Sequence, residues 1–162
     1  MAYDVRAVAN FVLDLARAEG RGLSNMQINK VVYFLHADFL VTFSRPLVSA
    51  KIEAWTHGPV FRELYREFKA FGEDEITGRV FVMSAATGKR GLATCQFRDD
   101  ERSFLESAAR KYSAMSASAL RAQSHVEGGP WDLVWNHDTE TNASMKITDE
   151  LIKHWYERTA KH

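Results

Sequence analysis

The chain has 162 residues, of which 46% are hydrophobic and 26% charged, so it is long enough and apolar enough for one well-filled core. Lysine plus arginine and aspartate plus glutamate both number 21, and this formal net charge of zero argues against nucleic acid or an anionic membrane as the main partner. The single cysteine, the missing signal-peptide pattern and the absence of a membrane-length apolar run lead us to expect a cytoplasmic protein without an internal disulfide.

Two long helices are predicted in the N-terminal part of the chain. Apolar residues recur at helical spacing over 4–19, and the pattern stops at Gly20. Ser24 and Gln27 then form the sequence pattern of a capping box, which predicts the start of a second helix. Apolar side chains surround most of this helix up to the Pro46 break, so we expect it to lie at the centre of the fold.

A corner is predicted after the second helix. We expect a short strand over 50–55 and a third helix that begins at Pro59, because proline suits the first helical turn. Between them, Gly58 allows backbone angles that other residues avoid. Trp55 and His57 would be displayed on this corner, where their apolar bodies and polar tips favour half-buried contacts.

A β-hairpin with a long loop is predicted in the middle of the chain. The runs 77–83 and 92–97 are rich in residues that favour strands, and the stretch 84–91 separates them. Acidic residues that begin at Asp99 indicate the start of a fourth helix. The hairpin is therefore inserted between the third and fourth helices.

The C-terminal part is predicted to be helical with one polar interruption. A helix over 116–126 and a helical turn over 131–135 precede a polar surface loop at 137–144, and Thr148 caps a last helix. No repeat or linker divides the sequence. We therefore predict a mainly α (α+β) fold in which residues 1–162 form a single compact helical domain with a small β-hairpin inserted.

Sequence patterns for catalysis are weak. None of the six histidines forms a paired metal-binding motif, and Cys95 lies in a predicted strand, which is typical of a small buried residue. A metal-dependent hydrolase would need His36, His57 and His125 to meet in one cleft. For His36 the sequence favours a buried histidine with a satisfied hydrogen bond. We therefore expect no catalytic residue, no metal and no cofactor, and keep the hydrolase as an alternative.

A second alternative is a DNA-binding autorepressor. Lys89 and Arg90 lie in the predicted hairpin loop, and Arg79 and Arg98 lie near its strands, so the hairpin tip could touch a phosphate backbone. These positive charges are few, and a solvated loop accounts for them more simply. Nucleic acid is therefore not the partner that we expect.

Aromatic residues are the best candidates for binding another protein, because tryptophan, tyrosine and arginine dominate interface energies. Trp55 and Trp131 each suit a core anchor or an interface anchor, with the core favoured for Trp55. Tyr65 and Arg66 lie off the centre of the apolar stripe of the third helix. Together with His57, these residues form the predicted partner-binding set.

Motifs spread along the chain carry a family resemblance. The sequence Lys-Val-Val-Tyr-Phe-Leu-His-Ala occupies 30–37, and Glu-Ala-Trp-Thr-His-Gly-Pro-Val occupies 53–60 and continues as Leu-Tyr-Arg-Glu-Phe at 64–68. A Ser-His pair at 124–125 and a Pro-Trp pair at 130–131 follow. In this order and spacing, the motifs resemble those of the Panacea domain family of SocA-like antitoxins.

The resemblance implies an antitoxin that binds a protein toxin and thereby neutralises it. An adaptor mechanism is also known in this family, in which the antitoxin delivers its toxin to a protease, so a SocB-like toxin and ClpXP are implied partners. The resemblance carries over no catalytic residue. It implies that a further set of motif residues holds the shared fold: Tyr33, Gly58, Pro59, His125 and Pro130.

Overall fold

The computed structural model describes residues 2–136 and 145–159, and their fold is mainly helical. The described residues form seven α-helices and two small antiparallel β-hairpins, so the predicted fold class is confirmed, although the sequence predicted only one hairpin. In chain order the elements are α1 (Val5–Ala18), α2 (Asn25–Phe43), β1 (Ile52–Trp55), β2 (Gly58–Phe61), α3 (Arg62–Phe68), β3 (Phe81–Met83), β4 (Arg90–Leu92), α4 (Asp99–Ser113), α5 (Ala117–Ser124), α6 (Pro130–Asn136) and α7 (Asp149–Thr159).

Helix α2 lies at the centre of the fold, as predicted. It contacts α1, α3, α4, α5 and α7, and most of its side chains are buried. The capping box forms: the Ser24 hydroxyl accepts from the backbone N–H of Gln27 at 3.3 Å, and the Gln27 side chain accepts from the backbone N–H of Ser24 at 2.9 Å. The helix is therefore fixed at its start by its cap and along its length by packing.

The third helix does not begin at Pro59, so this prediction was wrong. Residues Gly58–Phe61 form strand β2, in which Pro59 pairs with Ala54 of β1. The other side of β1 is bonded by a later segment, because Ala54 donates its N–H to the carbonyl of Met145 at 2.8 Å. Strand β2 is thus an outer strand, where a proline without an N–H is tolerated. The predicted corner is a tight hairpin turn, and α3 begins after it at Arg62.

The second hairpin is shorter than the sequence indicated. Strands Phe81–Met83 and Arg90–Leu92 pair close to the loop, whereas 77–83 and 92–97 were predicted. The buried Asn10 side chain bonds the hairpin stem: it donates to the carbonyls of Val80 at 2.9 Å and Ala93 at 3.0 Å. Beyond these hydrogen bonds, the two arms of the hairpin no longer pair with each other and pack against the helices.

The C-terminal helices agree with their predicted positions. Helix α5 has Ser116 as its N-cap, and the hydroxyl of Thr148 accepts from the N–H of Leu151 at 3.2 Å in the first turn of α7. The predicted surface loop at 137–144 lies outside the described residues. None of the helices in the described ranges is long and apolar enough to cross a membrane.

Candidate functional site

The predicted binding residues surround the turn that joins β1 to β2. A cavity of about 600 Å³ opens beside this turn. We call it the aromatic groove and define it by three of its lining residues, Trp55, Tyr65 and Trp135; His57 also lines it. A tyrosine and two tryptophans in an open cleft form the kind of surface that anchors a partner protein. Three of the five predicted binding residues therefore meet in one place.

Trp55 is half-buried, so the expectation that it is a core anchor was wrong. One edge of its indole packs against Tyr65, with ring centroids 4.9 Å apart, and the ring lines the groove. Its Nε1–H donates to Glu53 Oε1 at 2.9 Å. The indole is therefore held in one orientation while part of its face stays open to the groove.

Glu53 is a buried carboxylate that supports the groove from below. It accepts hydrogen bonds from Trp55 and from Arg62, the latter at 2.8 Å. Burial alone would raise the pKa of Glu53, but the bonds from Arg62 and Trp55 outweigh it and lower the pKa below its ordinary value of 4.5. The ionised form of Glu53 thus stabilises the hairpin.

We expect Glu53→Gln to lower the free energy of unfolding at neutral pH and to flatten its dependence on acid. A carboxyl group with a lowered folded-state pKa contributes stability above its ordinary pKa and loses it as the pH falls through the folded value. Urea unfolding between about pH 7 and about pH 3 measures this difference. Equal stability losses at both ends of that range would contradict the role given to Glu53.

Trp131 lies behind the turn and is only 6% exposed. Its Nε1–H donates to the backbone carbonyl of Trp55 at 2.7 Å. Its ring lies 3.7 Å from that of His125 and stacks on Trp135 at 5.8 Å, measured between centroids. Because Trp131 is buried, it supports the groove and offers little surface of its own to a partner.

The family-motif residues lie around the same turn or in the core next to it. Tyr33, Pro59 and Pro130 are buried. His125 places Nδ1 2.7 Å from the carbonyl of Arg121 and Nε2 3.4 Å from the carbonyl of Thr56, so it links α5 to the turn. These positions suit the structural roles that the resemblance implies.

Gly58 allows the turn to pack closely on α2 and α5. Its φ of 128° lies in a region that other residues rarely adopt. A Cβ atom at this position would lie 3.0 Å from the Ser124 hydroxyl and 3.1 Å from Lys30 Cε. Both the backbone angle and the available space therefore require glycine.

We expect Gly58→Ala to lower the free energy of unfolding by about 1–3 kcal/mol, because it adds backbone strain and crowding. Gly88→Ala is the matched control: Gly88 has a φ of 69° but nothing within 4 Å of its would-be Cβ. The difference between the two variants in urea unfolding measures the crowding at Gly58 together with the greater backbone strain of its φ of 128°. Equal losses in the two variants would refute the special requirement for glycine at the turn.

The three candidate histidines do not share a cleft. His57 and His125 lie at the turn, whereas His36 contacts Phe61 at the opposite end of β2. His36 is buried and bonded as expected, with Nε2 2.8 Å from Asp149 Oδ1 and Nδ1 accepting from the N–H of Val48 at 3.4 Å. Within residues 2–136 and 145–159, histidine, cysteine and carboxylate side chains form no cluster that could hold a metal ion.

The basic residues of the second hairpin are partly engaged within the protein. Arg79 pairs with Asp14 at 2.8 Å, and Arg98 pairs with Asp100 at 3.0 Å. The guanidinium of Arg90 lies over the Phe81 ring at 4.6 Å. The charges that a DNA-binding tip would need are therefore reduced by carboxylates of the same chain.

Two of the predicted binding residues do not line the groove: Trp131 is buried behind the turn, and Arg66 is exposed on α3. Trp135 was not predicted from the sequence, although it follows Trp131 by one helical turn and stacks on it. Lys30 and Arg121 were not predicted either, and they line a second cavity next to the groove. A lysine next to the apolar run that follows it in α2 was the available signal for Lys30.

The comparisons with known proteins agree with the motifs. The sequence model of the family described as "Antitoxin SocA-like, Panacea domain" matches residues 28–132. The chain is 38% identical over 151 residues to Antitoxin SocA of Caulobacter vibrioides (strain NA1000 / CB15N), which covers 93% of this chain and 80% of that protein. No solved structure matches the chain. The family model covers most of α2, both hairpins, and Trp55 and Tyr65 of the groove, and the chain belongs to the SocA-like antitoxin family with a Panacea domain.

Proposed function

We propose that this protein neutralises a SocB-like protein toxin by binding it directly through the aromatic groove, without catalysis, in the cytoplasm. The observation that carries the proposal is the groove itself, where Trp55 and Tyr65 are held in place while they line an open cleft. Pre-oriented aromatic side chains lose little conformational entropy when a partner covers them. Membership of an antitoxin family supplies the class of partner.

Growth of a co-expression strain tests neutralisation. The gene next to this one, as the toxin candidate, is expressed alone and together with this chain. Arrested growth with the neighbour alone, and restored growth with both proteins, is the expected result. Persistent arrest in the presence of this chain, at matched expression levels, would refute the proposal.

We propose further that the protein acts as an adaptor that delivers the bound toxin to ClpXP. The support is the relationship to the family in which this mechanism is known. The half-life of the toxin in a protease-competent strain tests it, because an adaptor shortens that half-life. Removal of this chain should lengthen the toxin's half-life, whereas an unchanged half-life would leave sequestration as the mechanism.

A further inference from the structure

Three nitrogen-bearing side chains meet in a second cavity, of about 320 Å³, beside the aromatic groove. Lys30 comes from α2, His57 from the hairpin turn and Arg121 from α5. We call this cavity the cation pocket. It is continuous with the groove, because both are lined by Met26, His57, Gly72 and Glu73.

Lys30 is a buried cation without a counter-ion in the described part of the chain. Its side chain belongs to a residue that is 4% exposed, and none of the described residues gives it a hydrogen bond or a carboxylate. Burial, followed by repulsion from Arg121, lowers the pKa of Lys30 to about 8. An ammonium group that faces a cavity with much of its hydration removed and no acid bonded to it would be stabilised by a bound anion.

The guanidinium of Arg121 is oriented by the His57 ring and not by an acid. It donates to His57 Nδ1 at 3.0 Å, because a guanidinium has no acceptor. Among the described residues, no carboxylate pairs with Arg121. The pocket thus presents two cations and an imidazole, and neither cation forms an ion pair with a carboxylate among the described residues.

The N-terminal ends of α2 and α5 add partial positive charge near the pocket. Ser24 and Met26 at the start of α2 and Ala117 at the start of α5 line the pocket. The N-terminus of a helix bears a partial positive charge that favours an anion. Glu73, on the shared rim, is the opposing charge. It would repel a chain of phosphates that follows the rim, whereas a single carboxylate can bind the two cations beyond it.

We propose that the cation pocket binds one carboxylate of the partner protein while the aromatic groove takes an apolar side chain of the same segment. The inference rests on the proposed function for the identity of the partner, but the chemistry of the pocket stands by itself. The carboxylate can belong to an acidic side chain or to a chain terminus, because both present the same two oxygens.

Short peptides test the pocket without the toxin. The chain, labelled for NMR, is titrated with acetyl-Phe-Glu-amide, with acetyl-Phe-Gln-amide and with acetyl-Gln-Phe, which has only a terminal carboxylate. We expect a carboxylate peptide to bind roughly tenfold more tightly than the uncharged one, and to shift the Lys30 and His57 signals. A hexanucleotide is titrated in parallel. Equal binding of all three peptides would overturn the inference, as would a hexanucleotide that binds more tightly than the carboxylate peptides.

Substitutions assign the preference to the pocket. Lys30→Met removes the charge and keeps the approximate length of the side chain. Arg121→Gln is a second variant in case the first does not fold, because Arg121 is exposed. Both should abolish the preference for the carboxylate peptides. Lys89→Met is the matched control, because Lys89 is exposed in the loop of the second hairpin and lines neither the groove nor the cation pocket. Persistence of the preference in folded Lys30→Met or Arg121→Gln would refute the assignment.

Binding to the toxin separates this inference from the proposed function. If the wild type binds the toxin and Lys30→Met binds it roughly tenfold or more weakly, both are supported. If the two bind equally well, the carboxylate inference fails and the antitoxin role stands. If the wild type shows the peptide preference but binds no toxin, the proposed function fails and the pocket stands.

Discussion

Glu101→Ala is expected to lower the free energy of unfolding by about 3–5 kcal/mol, because it breaks a buried ion pair and leaves the partners unsatisfied. Glu101 is fully buried in the first turn of α4. It forms an ion pair with Arg45, and it accepts from the hydroxyl of Tyr3 at 2.5 Å and from the backbone N–H of Arg98 at 3.2 Å. One carboxylate thus joins α4 to the N-terminus and to the segment after α2.

Urea unfolding of Glu101→Ala measures this loss, with Glu106→Ala as the control. Glu106 lies on the same helix and pairs with Arg102 at 3.6 Å, but both side chains are partly exposed. We expect this control to lose less than about 1 kcal/mol. A loss in Glu101→Ala no larger than in Glu106→Ala would show that the buried pair does not join these elements.

Trp131→Ala is the second large destabilisation that we expect, again about 3–5 kcal/mol, because it empties a site filled by a buried indole. It also removes the bond from Nε1 to the carbonyl of Trp55. Trp55→Ala should cost less stability, because Trp55 is half-buried and lines the groove. Thermal and urea unfolding of the two variants under identical conditions test the order.

Trp131→Phe refines this test, because it keeps an aromatic ring and removes the indole N–H. We expect it to lie between the wild type and Trp131→Ala in stability. If Trp55→Ala were the more destabilised variant, Trp55 would be the core anchor after all. The groove would then lose its principal exposed aromatic residue.

Helices were predictable because local patterns determine them. Helix α2 carries both its capping box and its apolar faces within a short stretch of sequence, and no distant residue is needed to recognise it. The start of α3 could not be predicted in this way. Pro59 suits a first helical turn, but this stretch pairs with β1 instead. Strand β1 is in turn bonded on its other side by the segment at Met145, which the chain supplies far downstream.

The candidate site shows the same division between local and long-range information. Trp55, His57 and Tyr65 were recognisable because they lie close together in sequence. Arg121 could not be assigned to this site, because only the packing of α5 on the turn brings it to His57. Lys30 was visible as a charge beside the apolar residues of α2, but the lack of a counter-ion for it among the described residues is a property of the folded structure.

The second hairpin offers an alternative surface to the groove for the proposed binding of the toxin. Phe81, Met83 and Leu92 are exposed on the second hairpin, at 43%, 66% and 51%. Exposed apolar side chains that cluster in this way also mark interaction sites. Substitutions on the two surfaces therefore provide matched tests: Tyr65→Ala for the groove and Met83→Ser for the hairpin.

The dissociation constant of the complex with the co-encoded toxin tests the central claim most directly. It is measured for the wild type, Tyr65→Ala and Met83→Ser, after unfolding experiments have shown that both variants are folded. We predict that the wild type binds, that Tyr65→Ala binds roughly tenfold or more weakly, and that Met83→Ser binds like the wild type. Unchanged binding by Tyr65→Ala together with weakened binding by Met83→Ser would contradict the account.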